Sequence, residues 1–192
     1  MPQGPATRTQ RRRLPRRAAL ACLVAWLAVA SEVVTAADDA LSVDELKAAY
    51  LFNFAKFVEW PAQAAGTPLR ICVFGRDSLT VPLSALDGKE ARGRTVRVLS
   101  SVTLDQAANC DLLFVTRAEE RRLRTVLQQV AGRPVVTVSD IERFAADGGA
   151  VEFVSSSGKL RFDINLDVLR QAGLKVSSQL LGVARTVMGA PR

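Results

Sequence analysis

Apolar and polar positions change period several times along this chain, and each change predicts an element. After Ser42, Leu46, Ala49, Tyr50, Phe54, Phe57 and Val58 recur at helical spacing behind a Ser42/Glu45 capping box, until Pro61 stops the run near Trp60. Leu46, Tyr50, Phe54, Phe57 and Val58 share one stripe, which predicts a helix laid over a sheet; Phe52 lies off that stripe, and Lys47, Asn53, Lys56 and Glu59 interrupt the remaining surface. Residues 69–75 form a short apolar run ending in glycine, a buried strand; 95–99 alternate as a second strand, and 111–116 and 134–138 read as two more. Helices are predicted between them: 79–86, capped by Asp77 or Ser78 and shortened by Pro82; 118–130, with Leu123, Val126, Leu127 and Val130 on one face; and 140–146, capped by Asp140.

Asp147-Gly148-Gly149 breaks the pattern, and residues 150–154 and 159–164 then predict a β-hairpin across a loop at 155–158. Leu160, Phe162 and Ile164 point one way, and Lys159, Arg161 and Asp163 the other. A helix at 167–172 ends at Gly173, and Ser177 caps a last helix whose stripe is Leu180, Leu181, Ala184 and Val187. The alternation of strand and helix implies an α/β fold: a three-layer sandwich with a largely parallel sheet and an antiparallel hairpin at one edge.

The first 36 residues change the picture. Arg11, Arg12, Arg13, Arg16 and Arg17 precede an apolar stretch, and Val34-Thr35-Ala36 offers a cleavage site, so residues 1–36 read as a signal peptide and 37–192 as one domain. An uncleaved anchor is the alternative, but the uncharged stretch 18–30 is short for a membrane span. The leader holds six of the 26 Lys and Arg and one of the 19 acids, leaving 20 against 18, so the net charge falls from +7 to +2. The remaining basic cluster of Arg117, Arg121, Arg122 and Arg124 is interleaved with Glu119 and Glu120, which reads as a solvated helix face, and no nucleic-acid partner is expected.

The chain has no histidine, which removes the commonest general base and the commonest metal ligand. Gly75-Arg76-Asp77 follows a strand but lacks the further glycines of a phosphate loop. Adjacent acids such as Asp44/Glu45 diverge on a helix, so no catalytic pair forms; neither enzymatic activity nor a cofactor or metal is expected. What such a fold offers is a crevice at the carboxyl ends of its strands, where Arg76 and Arg117, with hydroxyl neighbours Ser100, Ser101, Thr116 and Ser139, are candidates to hold a small anion; plain loop turns are the alternative.

The aromatic stretch Tyr50-Leu51-Phe52-Asn53-Phe54-Ala55-Lys56-Phe57-Val58-Glu59-Trp60-Pro61 closely resembles the opening signature of the YfiR/HmsC-like family of periplasmic proteins. The resemblance continues through Ile71-Cys72-Val73-Phe74-Gly75, Cys110-Asp111-Leu112-Leu113-Phe114-Val115, Val136-Thr137-Val138-Ser139-Asp140, Leu160-Arg161-Phe162-Asp163-Ile164-Asn165, and from Ala172 to Leu181. It implies a compact α/β fold in the periplasm and a repressor that binds the periplasmic sensor region of an inner-membrane diguanylate cyclase, lowering cyclic di-GMP and biofilm formation. It also implies an outer-membrane lipoprotein that can sequester the repressor. The alternative is a periplasmic small-ligand-binding or accessory sensor domain serving a histidine kinase or outer-membrane receptor.

Two partner-binding surfaces are candidates. The hairpin combines Phe153, Arg161, Phe162 and Asp163, a mixture that interface hot spots favour, although core-facing phenylalanines are the alternative there. The first helix offers Phe52 and Trp60, to a partner or to a second copy in a homodimer. Cys72 and Cys110, on strands that a doubly wound sheet can set side by side, are candidates for a disulfide in an exported chain, with two buried thiols as the alternative. Disulfide bonding in the family is implied by the resemblance, without a pairing.

Overall fold

Strands run where apolar residues are continuous. β2 (Leu69–Phe74), β5 (Leu112–Val115) and β6 (Val136–Ser139) form the centre of an eight-stranded sheet in the computed structural model, which describes residues 41–62, 66–156 and 158–189. The predicted signal segment lies outside the described residues. Runs buried on both faces are what a parallel sheet sandwiched between helices requires. With β1 (Val58–Glu59), β3 (Glu90–Ala91), β4 (Arg94–Leu99), β7 (Val151–Ser156), β8 (Lys159–Asn165), β9 (Lys175–Val176) and β10 (Thr186–Met188), the order across the large sheet is β10-β8-β7-β6-β5-β2-β4-β3. The β4-β2-β5-β6-β7 pairings are parallel, and β7 and β8 form the antiparallel hairpin near one end of the sheet. β10 adds parallel to β8 on its outer side, so the hairpin sits one strand in from the edge. The hairpin loop is tighter than expected: Ser156 pairs with Lys159, and Gly158 takes φ +72°.

α1 (Val43–Phe57) covers one face of the sheet. Its start is fixed by the capping box, the backbone N–H of Glu45 donating to Ser42 Oγ and that of Ser42 to the Glu45 carboxylate. On the same face lie α2 (Thr80–Ser84), α5 (Leu166–Gln171) and α6 (Ser178–Val183), with Leu51, Phe54, Ile71, Val73, Phe114, Phe153, Phe162 and Leu180 in one core. The other face carries α3 (Leu104–Ala107), a 3-10 turn at Arg117–Arg122 and α4 (Leu123–Val130), over Cys72, Phe74, Leu113 and Val115. Strand alternation explains the division, since neighbours such as Ile71 and Cys72 enter opposite cores.

Cys72 and Cys110 are joined by a disulfide inside this second core, with Cα atoms 6.1 Å apart. β1 pairs with β9 antiparallel and stitches the end of α1 to the C-terminal part of the chain.

Several expected elements differ. The helix expected at 140–146 is a series of turns: Arg143 adopts φ +62°, and the Glu152 carboxylate takes the backbone N–H groups of Arg143 and Ala145 that a helix would have used internally. The helix expected at 118–130 opens as the 3-10 turn. The last helix stops at Val183, and the Val187 assigned to its stripe belongs to β10.

Candidate functional site

The buried face of α1 is rotated from the stripe that the sequence suggested. Lys47, Ala48, Leu51, Phe54 and Ala55 are buried, while Tyr50 and Phe57 are half-buried at the flanks. Tyr50 and Phe54 meet Phe153 and Phe162 from the hairpin, with ring centroids 5.1–6.0 Å apart in stacked, tilted and edge-on pairs. The aromatic helix and the aromatic hairpin are therefore partners of each other. This corrects the hairpin surface: Phe153 (4% exposed) and Phe162 (1%) are core residues.

Asp163 is also withdrawn from the surface, at 7% exposure. Its carboxylate accepts two hydrogen bonds from Arg185, whose guanidinium is pushed further above its ordinary pKa by that hydrogen bond and charge. The Arg185 backbone N–H donates to Phe162 O at 2.8 Å, so this residue docks the run-in to β10 onto β8. Of the hairpin residues singled out, Arg161 alone is exposed.

Trp60 is half-buried against the core, and its Nε1–H donates to Asp111 O at 3.2 Å, bracing the end of α1 against β5. Phe52 is different. It is half-buried at the margin of the same core, with Lys56 Nζ 4.9 Å and Lys89 Nζ 5.8 Å from its ring centroid. Arg92 stands beside them, held by Glu59 at 3.2 Å and by the Lys56 carbonyl. The aromatic ring thus has two exposed lysines over it, one of them joined to a third cation through its own carbonyl.

At the carboxyl ends of the parallel strands the expected residues separate. Arg76 is exposed and lines a cavity of about 360 Å³ together with Gly75, Ser101, Glu119 and Arg122. Arg117 is not among its lining residues; its guanidinium donates to Asp140 O at 2.5 Å. Ser139 is committed to the fold, its hydroxyl donating to Val115 O and accepting from the Ile141 N–H. Thr116 Oγ1 and Asp140 Oδ1 are buried without a hydrogen-bond partner among the described residues.

Periodicity missed Lys47. It is buried at 8% exposure with Nζ 2.8 Å from Asp140 Oδ2 and 3.8 Å from Asp44 Oδ1, and it ties the first turns of α1 to the end of β6. It also missed Arg122, whose Cζ lies 4.9 Å from the Phe74 ring centroid and which pairs with Glu119 at 3.1 Å.

A sequence model of the YfiR/HmsC-like family matches residues 44–185, from the first turn of α1 to the Asp163 clamp at Arg185. The chain belongs to the YfiR/HmsC-like family. A solved structure of a conserved domain protein from Vibrio cholerae O1 biovar El Tor is similar in fold, with TM-score 0.56 and 12% identity over 77% of this YfiR/HmsC-like chain and 60% of that one. A Streptococcus pneumoniae ABC domain solved in complex with L-Trp aligns at TM-score 0.47 and 12% identity, over 73% of this chain and 60% of that one. This chain therefore spans about 60% of the length of the solved structures it matches. At this identity the likeness to the Vibrio cholerae structure is one of α/β fold alone.

Proposed function

We propose that this protein represses an inner-membrane diguanylate cyclase by binding the cyclase's periplasmic sensor region, so that cyclic di-GMP and biofilm formation fall. It acts as a binding protein without a reaction centre, stabilising one state of the cyclase by differential affinity. An outer-membrane lipoprotein that competes for it would release the cyclase.

The observation that supports a particular surface is the Phe52 face of α1. Phe153, Phe162 and Asp163 are buried and the Trp60 N–H is spent on an internal hydrogen bond, whereas Phe52 packs on the core with part of its ring still accessible beneath the exposed Lys56 and Lys89. An aromatic anchor within a cationic rim suits an acidic partner surface. The same rim argues against self-association through this face, because a two-fold interface would set the lysines of one copy against those of the other.

The test is the affinity of the purified protein for the isolated periplasmic region of the cyclase. The double reversal Lys56→Glu/Lys89→Glu is expected to raise Kd at least tenfold and to flatten its salt dependence, with the melting temperature little changed. Arg161→Glu probes the hairpin tip in parallel. Binding unaltered by the double reversal but lost in Arg161→Glu would move the contact to the hairpin, and binding unaltered by both would remove this account of the interface.

A further inference from the structure

The crevice between the ends of β2 and β5 is a topological switch point. The chain leaves β2 toward the α1 face, where Leu79 and Leu83 join that core, and leaves β5 toward the opposite face, where Val126 and Val130 pack. Diverging connections open a gap beyond the strand ends, the place where open α/β sheets receive ligands. Here the gap is the cavity of about 360 Å³, at the lower end of the range for metabolite pockets.

Its lining has a definite chemistry. The Arg122 guanidinium is held over the Phe74 ring, and one of its donors is taken by the Glu119 carboxylate; its other donors have no partner among the described residues. Arg76 adds a second cation and Ser101 a hydroxyl. Gly75 forms the floor at φ +97°, and a Cβ there would lie 2.2 Å from Thr116 Oγ1 and 2.7 Å from Glu119 Cγ. The unpartnered, fully buried Thr116 hydroxyl and the Glu119 side chain thus converge on one point of the floor. Gly75, two arginines and Ser101 line a cavity that the chain's own Glu119 also lines, with the buried Thr116 hydroxyl directly beneath Gly75.

We infer that this crevice binds a small carboxylate ligand, with Arg122 as the principal cation and Glu119 as the internal carboxylate that the ligand displaces. Arg122, with Cζ 4.9 Å from the Phe74 ring centroid, offers a planar fork of donors that matches a two-oxygen group. Of the expected pair, Arg76 lines this cavity and Arg117 does not. The assignment stands independently of which membrane protein is the partner, and no part of it uses the Phe52 face.

Calorimetric titration of the purified protein with acetate and succinate, at constant ionic strength and with inorganic phosphate and chloride as controls, tests it. Saturable binding of the carboxylates is expected. Arg122→Ala should weaken it at least tenfold and Glu119→Gln should strengthen it severalfold, whereas Arg124→Ala, a charge loss of the same size on α4, should leave it unchanged. Equal affinities in the Arg122→Ala and Arg124→Ala proteins, absence of saturable carboxylate binding, or binding of phosphate alone would each overturn the assignment. A folded Arg122→Ala protein is verified by its unfolding curve, and Arg122→Lys provides the second variant, expected to retain only part of the affinity because it keeps the charge and loses the planar fork.

Discussion

Removing the Cys72–Cys110 crosslink should destabilise the protein by an amount that follows from chain statistics. The two residues are 38 apart in sequence and both buried, one in the middle of β2 and the other just before β5. For a loop of this length the denatured-state entropy model gives about 4 kcal/mol at 25 °C. In a domain of this size each kcal/mol moves the melting temperature by roughly 2–4 °C, so the loss should be about 8–16 °C. The double variant Cys72→Ala/Cys110→Ala is the appropriate perturbation, since single variants leave an odd thiol. Thermal and urea unfolding followed by circular dichroism would measure it, with the wild-type protein scanned with and without reductant. The urea m-value should rise, because an uncrosslinked denatured chain exposes more surface. A melting temperature lowered by less than about 3 °C, with an unchanged m-value, would refute the claim that the bond restrains the unfolded ensemble.

Other predictions rest on separate features. Lys47→Ala should destabilise by about 1–3 kcal/mol by leaving the partly buried Asp140 carboxylate without its cation, and a double-mutant cycle with Asp140→Ala should return a coupling of the same sign in denaturant melts. Gly149→Ala should cost about 1–3 kcal/mol by overpacking, since a Cβ there would lie 2.1 Å from the ring of buried Phe144; Gly132→Ala meets no neighbour and separates backbone strain, at φ +69°, from steric overlap. The backbone N–H of Ser42, followed by its hydroxyl, holds the Glu45 carboxyl below the usual glutamate range. A depressed carboxyl pKa stabilises the fold above the unfolded-state value and loses that contribution as pH falls through the folded-state value. Acid titration of Glu45→Gln should therefore show a shallower loss of stability below the usual glutamate pKa than wild type.

Much of the architecture was legible because local and global signals agree. The capping box and the aromatic run specify α1, and the continuous apolar runs specify β2, β5 and β6. The disagreements have physical causes that lie far away in sequence. Lys47 looked like a polar interruption, yet the Asp140 carboxylate at the end of β6 makes its burial tolerable and turns the helix face toward the sheet. Asp163 alternates outward with Arg161, and only the later arrival of Arg185 explains why it is covered. Helical spacing at 180–187 could not reveal that β8 has a free outer side for Thr186–Met188 to join. At the strand ends, Arg76 lines the cavity that opens there, while Arg122, read from the sequence as part of a solvated helix face, lines it too. Arg122 does so from the last residue of a 3-10 turn after β5, which helical spacing over 118–130 did not reveal.

The sheet places its last strand outermost, and the first helix finds its aromatic partners in Phe153 and Phe162. The order in which the chain is made and the order in which it can be assembled therefore run against each other. The aromatic helix emerges first and must wait, uncovered, until the hairpin near the other terminus has been delivered. That delay leaves the apolar face of the helix uncovered until the closing strand at 186–188 is in place.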